Sequence, residues 1–334
     1  MEKALSGPPL SAENRAELHY ALGKAYDDVK DYRRAFENYA RGNAIRRIGL
    51  DYNPDSTSAM VAQTEAAFTP EIYRTWAETG CPSREPIFIV GMQRAGSTLV
   101  EQILGSHSQI EELGELNFIG KVVTDEIRPK AGQHYPFGLD KLGPRDLRAA
   151  GEQYLSYARL KRRTGKPFFV DKCPYNFWHV GLIRLILPNA KVIDARRHPM
   201  ACCFANFTMF FAFGPSLSYN QSEIGRFYAD YVRLMAHFDR VQPGKIHRLF
   251  YESLVADLET EVRRVLEYLE LPFEQSCLEY YRNDHSFNSL SSEQVRSPIF
   301  SEGLDRWRNY EQWLHPMKAA LGPVLDAYPD APEF

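Results

Sequence analysis

The sequence predicts an α/β protein: a three-layer fold with a parallel sheet covered by helices on both faces, preceded by a small all-α region. Two observations carry that reading. Short apolar runs at 87–91, 168–171, 191–195 and 245–250 alternate with amphipathic segments at 97–106, 144–164, 176–187, 220–240 and 257–270. Near-continuous apolar runs suit strands buried on two faces, and the helices between them suit the crossovers of a parallel sheet. Ahead of the first run, residues 14–47 are polar and keep a helical period.

Composition bounds the answer further. At 334 residues the chain is long enough for about two domains, and we expect a helical region over 1–80 and an α/β domain over 84–328. A hydrophobic content of 44% with 25% charged residues excludes a disordered chain. Forty basic against 43 acidic side chains leave no overall basic field to attract nucleic acid. Cys81, Cys173, Cys202, Cys203 and Cys277 form no CxxC, so they read as buried thiols rather than a disulfide framework or a zinc site. The opening MEKALSGPPLSAENRAE has no apolar core of a secretory signal. The apolar stretches at 87–92 and 207–213 are too short to span a bilayer. The expectation is a cytoplasmic chain without a membrane partner.

The elements follow in order. Leu18, Leu22, Ala25 and Tyr26 form one apolar stripe, and Tyr32, Ala35, Phe36 and Tyr39 form a second. The polar turn at 27–31 separates them, so two antiparallel helices are predicted. Leu22, Gly23, Tyr26, Ala35 and Tyr39 also have the spacing of a tetratricopeptide repeat, with Gly23 and Ala35 small where the helices cross. Only one copy is found, and a single repeat leaves a face to bury. Either the pair packs on the rest of the chain, or it ends a longer array; a plain helical hairpin is the alternative. Two more helices are expected in 55–80, with Pro70 at a first helical position. Residues 81–86, CPSREP, are a linker that cannot continue a helix. In 257–270, Asp257 is a natural N-cap, Glu259 and Glu261 favour the first turns, and Leu258, Val262, Val265, Leu266 and Leu269 make one stripe.

The chemistry starts where the first strand ends, in Gly91-Met92-Gln93-Arg94-Ala95-Gly96-Ser97-Thr98. A strand, a glycine-bounded loop and a helix N-terminus make a phosphate-loop layout, in which backbone N–H groups converge on one anion. The nucleoside-triphosphate loop GxxxxGK[ST] needs a lysine where this chain has Ser97, which disfavours an ATP or GTP site. Arg94 supplies positive charge from within the loop instead.

The run PIFIVGMQRAGSTLVEQILGSHSQIEELGEL resembles the start of a sulfotransferase domain, nearest to the tyrosylprotein sulfotransferase branch and to bacterial sulfotransferases fused to tetratricopeptide repeats. The resemblance covers about 84–325 together with the helical repeat in front. It implies a sulfotransferase-like P-loop fold and transfer of a sulfuryl group from 3′-phosphoadenosine-5′-phosphosulfate to a hydroxyl or amine. Gln93, Arg94, Ala95, Gly96, Ser97 and Thr98 match the family's 5′-phosphosulfate loop, with Gln93 in place of proline. Lys172, in the block Phe169-Val170-Asp171-Lys172-Cys173-Pro174, matches the lysine that reaches the sulfuryl and the bridging oxygen. Arg197 matches the arginine of the 3′-phosphate motif, where an arginine fork suits a terminal phosphate. That motif departs from the family in two places: His198 replaces an aspartate, and Ala205 replaces a serine for which Asn206 is the nearest substitute. Tyr251, Ser292 and Arg306 match positions near the nucleotide, with Arg306 immediately before Trp307.

Sulfuryl transfer needs a group that takes the acceptor proton. The tyrosylprotein branch uses a glutamate after a glycine, and Glu115 in Leu113-Gly114-Glu115-Leu116, twenty-one residues after Arg94, stands at the matching place. Glu111 and Glu112 are neighbouring decoys, and His107 reads as a structural residue at a helix C-terminus. Catalytic roles thus fall to Glu115, Lys172 and Arg94. No metal is expected, because the nine histidines are scattered and no DxD or HxxxH occurs. The resemblance implies a hydroxyl-bearing acceptor, with a protein or peptide phenol favoured; the aromatic run Phe204, Phe207, Phe210, Phe211 and Phe213 reads as core, with the lining of an acceptor cleft as the alternative. A P-loop nucleotide kinase and a catalytically degenerate helical-repeat scaffold are the alternatives.

Overall fold

The computed structural model describes residues 1–211, 216–282 and 303–334. The chain folds as two compact units, each assembled from separate stretches. One takes Met1–Ala59, His198–Val232 and Ser301–Phe334; the other takes Met60–Arg197 and Arg233–Phe300.

The second unit holds a five-stranded, all-parallel sheet of β1 (Pro86–Gly91), β2 (Ile110–Glu112), β3 (Phe168–Lys172), β4 (Lys191–Arg196) and β5 (Ile246–Phe250), in the order β2-β3-β1-β4-β5. Every residue of β1 is buried, as its unbroken apolar run requires. Side chains alternate across the sheet. Ile87 and Ile89 join the core under the helices Ser97–Gly105 and Leu258–Leu269. Phe88 turns the other way, its ring 5.3 Å from that of Tyr154 on the Pro144–Arg159 helix. Helices therefore cover both faces, as the sequence predicts. Asp257 caps the Leu258–Leu269 helix by accepting the Thr260 N–H.

Three local details differ from the sequence prediction. β2 was not anticipated: it is three residues long, and it is defined by its pairing with β3, Ile110 opposite Phe168 through Glu112 opposite Val170. The helix expected over 144–164 stops at Arg159, because the N–H groups of Arg163 and Thr164 donate to the Glu111 carboxylate instead of continuing a helix. The segment expected as one helix over 176–187 opens as a 3₁₀ turn at Pro174–His179 before the α-helix Val180–Ile186.

The first unit is helical. Ala12–Asp28 and Tyr32–Arg47 pack antiparallel, with Ser11 and Asp31 as their capping residues. A Cβ on Gly23 would lie 2.7 Å from the Tyr39 ring, and one on Gly42 would lie 2.9 Å from the Tyr20 ring. These two glycines let the aromatic rings seat at the crossing. The Tyr20 hydroxyl donates to Asn43 at 2.7 Å, and Asn43 donates to the Phe207 carbonyl at 2.9 Å on the Pro199–Phe207 helix. Phe36 stacks on both Phe207 and Trp313. The outer face of the helix pair is thus buried by this chain's own later segments. Phe204, Phe207 and Phe211 are buried there, while Phe213 lies outside the described residues. All five cysteines are buried free thiols. Among the described residues no helix is long and apolar enough to cross a membrane.

Candidate active site

All the strands of a parallel sheet point their carboxyl ends to one edge, and ligand-binding loops gather there. The loop after β1 is shaped by backbone conformations that sequence dictates. Gly91, Arg94 and Gly96 have φ of +140°, +64° and +98°. Glycine adopts such values freely, whereas Arg94 does so at a cost, the kind of local strain that clusters at functional sites. A Cβ on Gly91 would lie 2.4 Å from the Ala195 carbonyl oxygen of β4, and one on Gly96 would lie 2.6 Å from Tyr251 Cδ2. Both glycines are therefore required for close approach as well as for φ. The Ser97–Gly105 helix begins on Gly96, which offers no capping side chain. A helix N-terminus left uncapped in a glycine-bounded loop is a seat for an anion.

Two cations flank this loop. The Arg197 guanidinium donates to the Arg94 carbonyl at 3.2 Å and lies 4.9 Å from the centroid of the Tyr251 ring. Tyr251 opens the short helix after β5. Burial raises the Tyr251 pKa, and Arg197 opposes that shift. The neighbouring Arg196 is turned into the sheet instead, where it pairs with Asp194 at 2.7 Å. Two residues apart on one strand, these side chains share a face, which explains why the two arginines of the turn divide their work.

On the other side of β1 lies Lys172, in register with Ile89 at the carboxyl end of β3. Its side chain is 3% exposed, and its Nζ is 2.7 Å from Glu115 Oε1 and 3.8 Å from Glu101 Oε2. Glu115 is the accessible partner, 55% exposed. The segment that carries it is held by backbone bonds from Leu113 N–H to the Val170 carbonyl and from Lys172 N–H to the Gly114 carbonyl. Asp171 accepts the Leu116 N–H at 3.3 Å and the Tyr154 hydroxyl at 2.8 Å. Burial raises its carboxyl to about 8 despite those bonds. Burial likewise raises Glu112 to about 8, with nearby Glu101 adding to the shift. Burial would also raise Glu111, but the Arg163 and Thr164 N–H groups and Arg162 outweigh it and lower the pKa, so Glu111 is a tie between β2 and the 162–164 segment. His107 is fully buried, with Nε2 at 3.0 Å from the Pro272 carbonyl, in keeping with a structural residue.

The structure thus brings Gln93 through Thr98, Lys172, Glu115, Arg197 and Tyr251 to one unit and one edge of its sheet. Arg306 belongs to the other unit, where it pairs with Asp27 at 2.8 Å and donates to the Tyr39 hydroxyl at 3.2 Å. Ser292 lies outside the described residues. Asn206 donates within its own helix to the Cys202 carbonyl at 2.9 Å. One residue of the site was not singled out from sequence. Glu101 looks like one more residue of an amphipathic helix, yet it is 2% exposed and faces Lys172. A charged residue closely flanked by Leu99, Val100, Ile103 and Leu104 was the signal available.

Comparison with known proteins bears on this geometry. A family model described as "Sulfotransferase family" matches residues 86–275. An uncharacterized protein of Aquifex aeolicus (strain VF5) is 35% identical over 99% of this chain, which spans 45% of that longer relative. Protein-tyrosine sulfotransferase A of Caenorhabditis elegans is 22% identical over 66% of this chain and 60% of its own length. Among solved structures, the sulfotransferase domain from the curacin biosynthetic pathway superposes with a TM-score of 0.53 at 17% identity, covering 75% of this chain and 99% of that one. The matched span begins at β1 and takes in the loop, Glu115, Lys172, Arg197 and Tyr251, so the segment that builds this edge of the sheet is the segment the family shares: the chain belongs to the sulfotransferase family.

Proposed function

We propose that this chain transfers a sulfuryl group from 3′-phosphoadenosine-5′-phosphosulfate to an acceptor hydroxyl. The observation that carries the proposal is the Lys172–Glu115 pair, at 2.7 Å, beside a glycine-bounded loop at the carboxyl edge of the sheet. The residues fit such a donor: Gly91 and Gly96 let the loop close onto Ala195 and Tyr251, the Ser97–Gly105 helix opens there with no capping side chain, and Arg94, Lys172 and Arg197 supply positive charge. In this reading the loop amides, Arg94, Ser97 and Thr98 hold the 5′-phosphosulfate, Gln93 and Ala95 shape the loop, and Arg197 forks onto the 3′-phosphate beside Tyr251. The family resemblance brings Ser292 and Arg306 into the same proposal, with Arg306 the weaker member because Asp27 and Tyr39 already engage it.

Glu115 takes the acceptor proton as the acceptor oxygen bonds to sulfur. Lys172 neutralises the charge left on the bridging oxygen when its bond to sulfur breaks. Orientation of the two substrates supplies much of the remaining acceleration. We take the acceptor to be a phenol on a peptide or protein, since a phenol with pKa near 10 yields its proton to a carboxylate more readily than an aliphatic alcohol does. The relative named as a protein-tyrosine sulfotransferase supports that choice. We further read the helix pair of the first unit as one tetratricopeptide-like repeat, on the strength of the Gly23–Tyr39 crossing, and residues 84–328 as the part that handles the donor. The buried free thiols support a reducing, cytoplasmic setting.

The test is calorimetric titration with 3′-phosphoadenosine 5′-phosphate against ADP, with Arg197→Ala as control, followed by transfer of labelled sulfate to a tyrosine peptide. Selective binding that the variant loses supports the proposal. A folded protein that binds neither nucleotide, or both equally, refutes it and favours a scaffold.

A further inference from the structure

We infer that Glu101 is the positioning residue of this site: one buried carboxylate fixes both the Lys172 ammonium and the segment that carries Glu115. The inference rests on the proposed function for the roles of those two residues, and on geometry for the rest. Glu101 stands on the Ser97–Gly105 helix, one turn after Ser97 and Thr98, on the helix that the loop itself feeds. Its Oε1 accepts the Gly114 N–H at 3.0 Å, and its Oε2 lies 3.8 Å from Lys172 Nζ. The Gly114 carbonyl accepts the Lys172 N–H at 3.0 Å. Helix, loop and strand are therefore tied into one closed ring, with Gly114 bonded on both sides at a φ of +71°.

A buried carboxylate is costly unless it is paired, and packing alone needs no charge at this position, whose helix neighbours are all buried. The second partner of Lys172, Glu115, is largely exposed. When Lys172 turns from Glu115 toward a donor, Glu101 is the partner that keeps the ammonium in place, and its hold on Gly114 keeps Glu115 within reach. The groups that face Glu101 are Lys172 and Asp171 from β3, Glu115 and the Gly114 N–H from the loop, and Glu112 from β2. Burial raises Glu101 to about 7, with Lys172 and the Gly114 N–H opposing that rise and Glu115 adding to it. Protonation near neutrality therefore loosens one of the two grips, that on Lys172, the contact that depends on charge.

Glu101→Gln separates them, because the amide oxygen still accepts the Gly114 N–H while the charge on Lys172 is lost. Two readouts are needed in the full chain: turnover as a function of pH, and the rate at which an amine-reactive ester acylates Lys172, followed by peptide mass. The expected result is a kcat about 10–100-fold lower with donor KM changed less than about threefold, and loss of the acid limb near pH 7. Acylation of Lys172 should become about tenfold faster at fixed pH once its Nζ has lost the Glu101 carboxylate beside it. Unchanged kcat, or a fall in kcat with both the acid limb and Lys172 acylation unchanged, overturns the inference. If wild type transfers no sulfuryl group, the proposed function fails and acylation alone decides the positioning role. If E101Q does not fold, wild-type Lys172 acylation must still show an inflection near pH 7; a featureless rise with pH overturns the inference.

Discussion

Replacing Gly96 by alanine should cripple the nucleotide site through a ring it does not itself belong to. The new Cβ would lie 2.6 Å from Tyr251 Cδ2, closer than real Cβ contacts come. The residue would also have to hold a φ of +98°. The left-handed backbone costs an L-residue roughly 1–2 kcal/mol, and forcing a packed ring aside costs about 1–3 kcal/mol more. We expect a loss of about 2–5 kcal/mol in folding stability, less the roughly 0.4–1 kcal/mol returned by a stiffer unfolded chain. The displaced ring is the one over which the Arg197 guanidinium lies at 4.9 Å, so nucleotide affinity should fall at least tenfold in protein that remains folded. Gly165→Ala is the control. Gly165 also has a positive φ, +65°, but nothing lies within 4 Å of its would-be Cβ, so it carries the backbone cost without the clash. Urea denaturation and calorimetry with 3′-phosphoadenosine 5′-phosphate measure the two effects. Equal stability losses in the two variants, with nucleotide affinity retained in Gly96→Ala, would refute the argument that the loop and Tyr251 are packed as one unit.

Three further predictions follow from the same geometry. Asp171 has its folded pKa raised from the ordinary carboxyl value of 3.8 to about 8, so the native state holds a proton that the unfolded chain has released; the resulting stability is present in acid and lost as pH rises through about 8. The urea midpoint of wild type should therefore fall between pH 5 and pH 9, and Asp171→Asn, which keeps a partner for both Leu116 and Tyr154, should flatten that fall by about 2–4 kcal/mol, with a residual slope of the same sign from Glu112 and Glu101; an unchanged slope would contradict it. Lys172→Met should lower kcat by about 10²–10³-fold with a smaller change in donor KM, measured by initial rates, and wild-type turnover in the variant would remove Lys172 from the mechanism. Arg306→Ala leaves Asp27 without its ion pair and should cost about 1–3 kcal/mol in urea denaturation, and a variant as stable as wild type would show that the pair holds nothing together.

Much of the fold was legible because its determinants are local. Short runs rich in apolar residues marked β1, β3, β4 and β5 within a residue or two, and Asp257, Pro70 and the 27–31 turn marked helix ends through chemistry confined to a few neighbours. β2 was illegible because a three-residue strand has no period of its own and exists only by pairing with β3. The early end of the Pro144–Arg159 helix was illegible for a related reason: its competitor, the Glu111 carboxylate, comes from elsewhere in the chain.

The same division runs through the site. By itself the sequence determined the loop, since Gly91 and Gly96 are required by backbone dihedral angles wherever the strand–loop–helix unit sits, and it determined which charged residues stand at strand ends. Tertiary structure alone decided their company. Arg196, the last residue of β4, shares a face with Asp194 two residues before it, while Arg197, just past the strand, faces the loop. Arg306 is taken up by Asp27 and Tyr39, partners remote in sequence. Glu101 meets Lys172 only because β3 is laid beside β1 and the helix folds back over both. A buried charge is recognised by what surrounds it, and the surroundings are assembled from segments whose proximity no local pattern encodes.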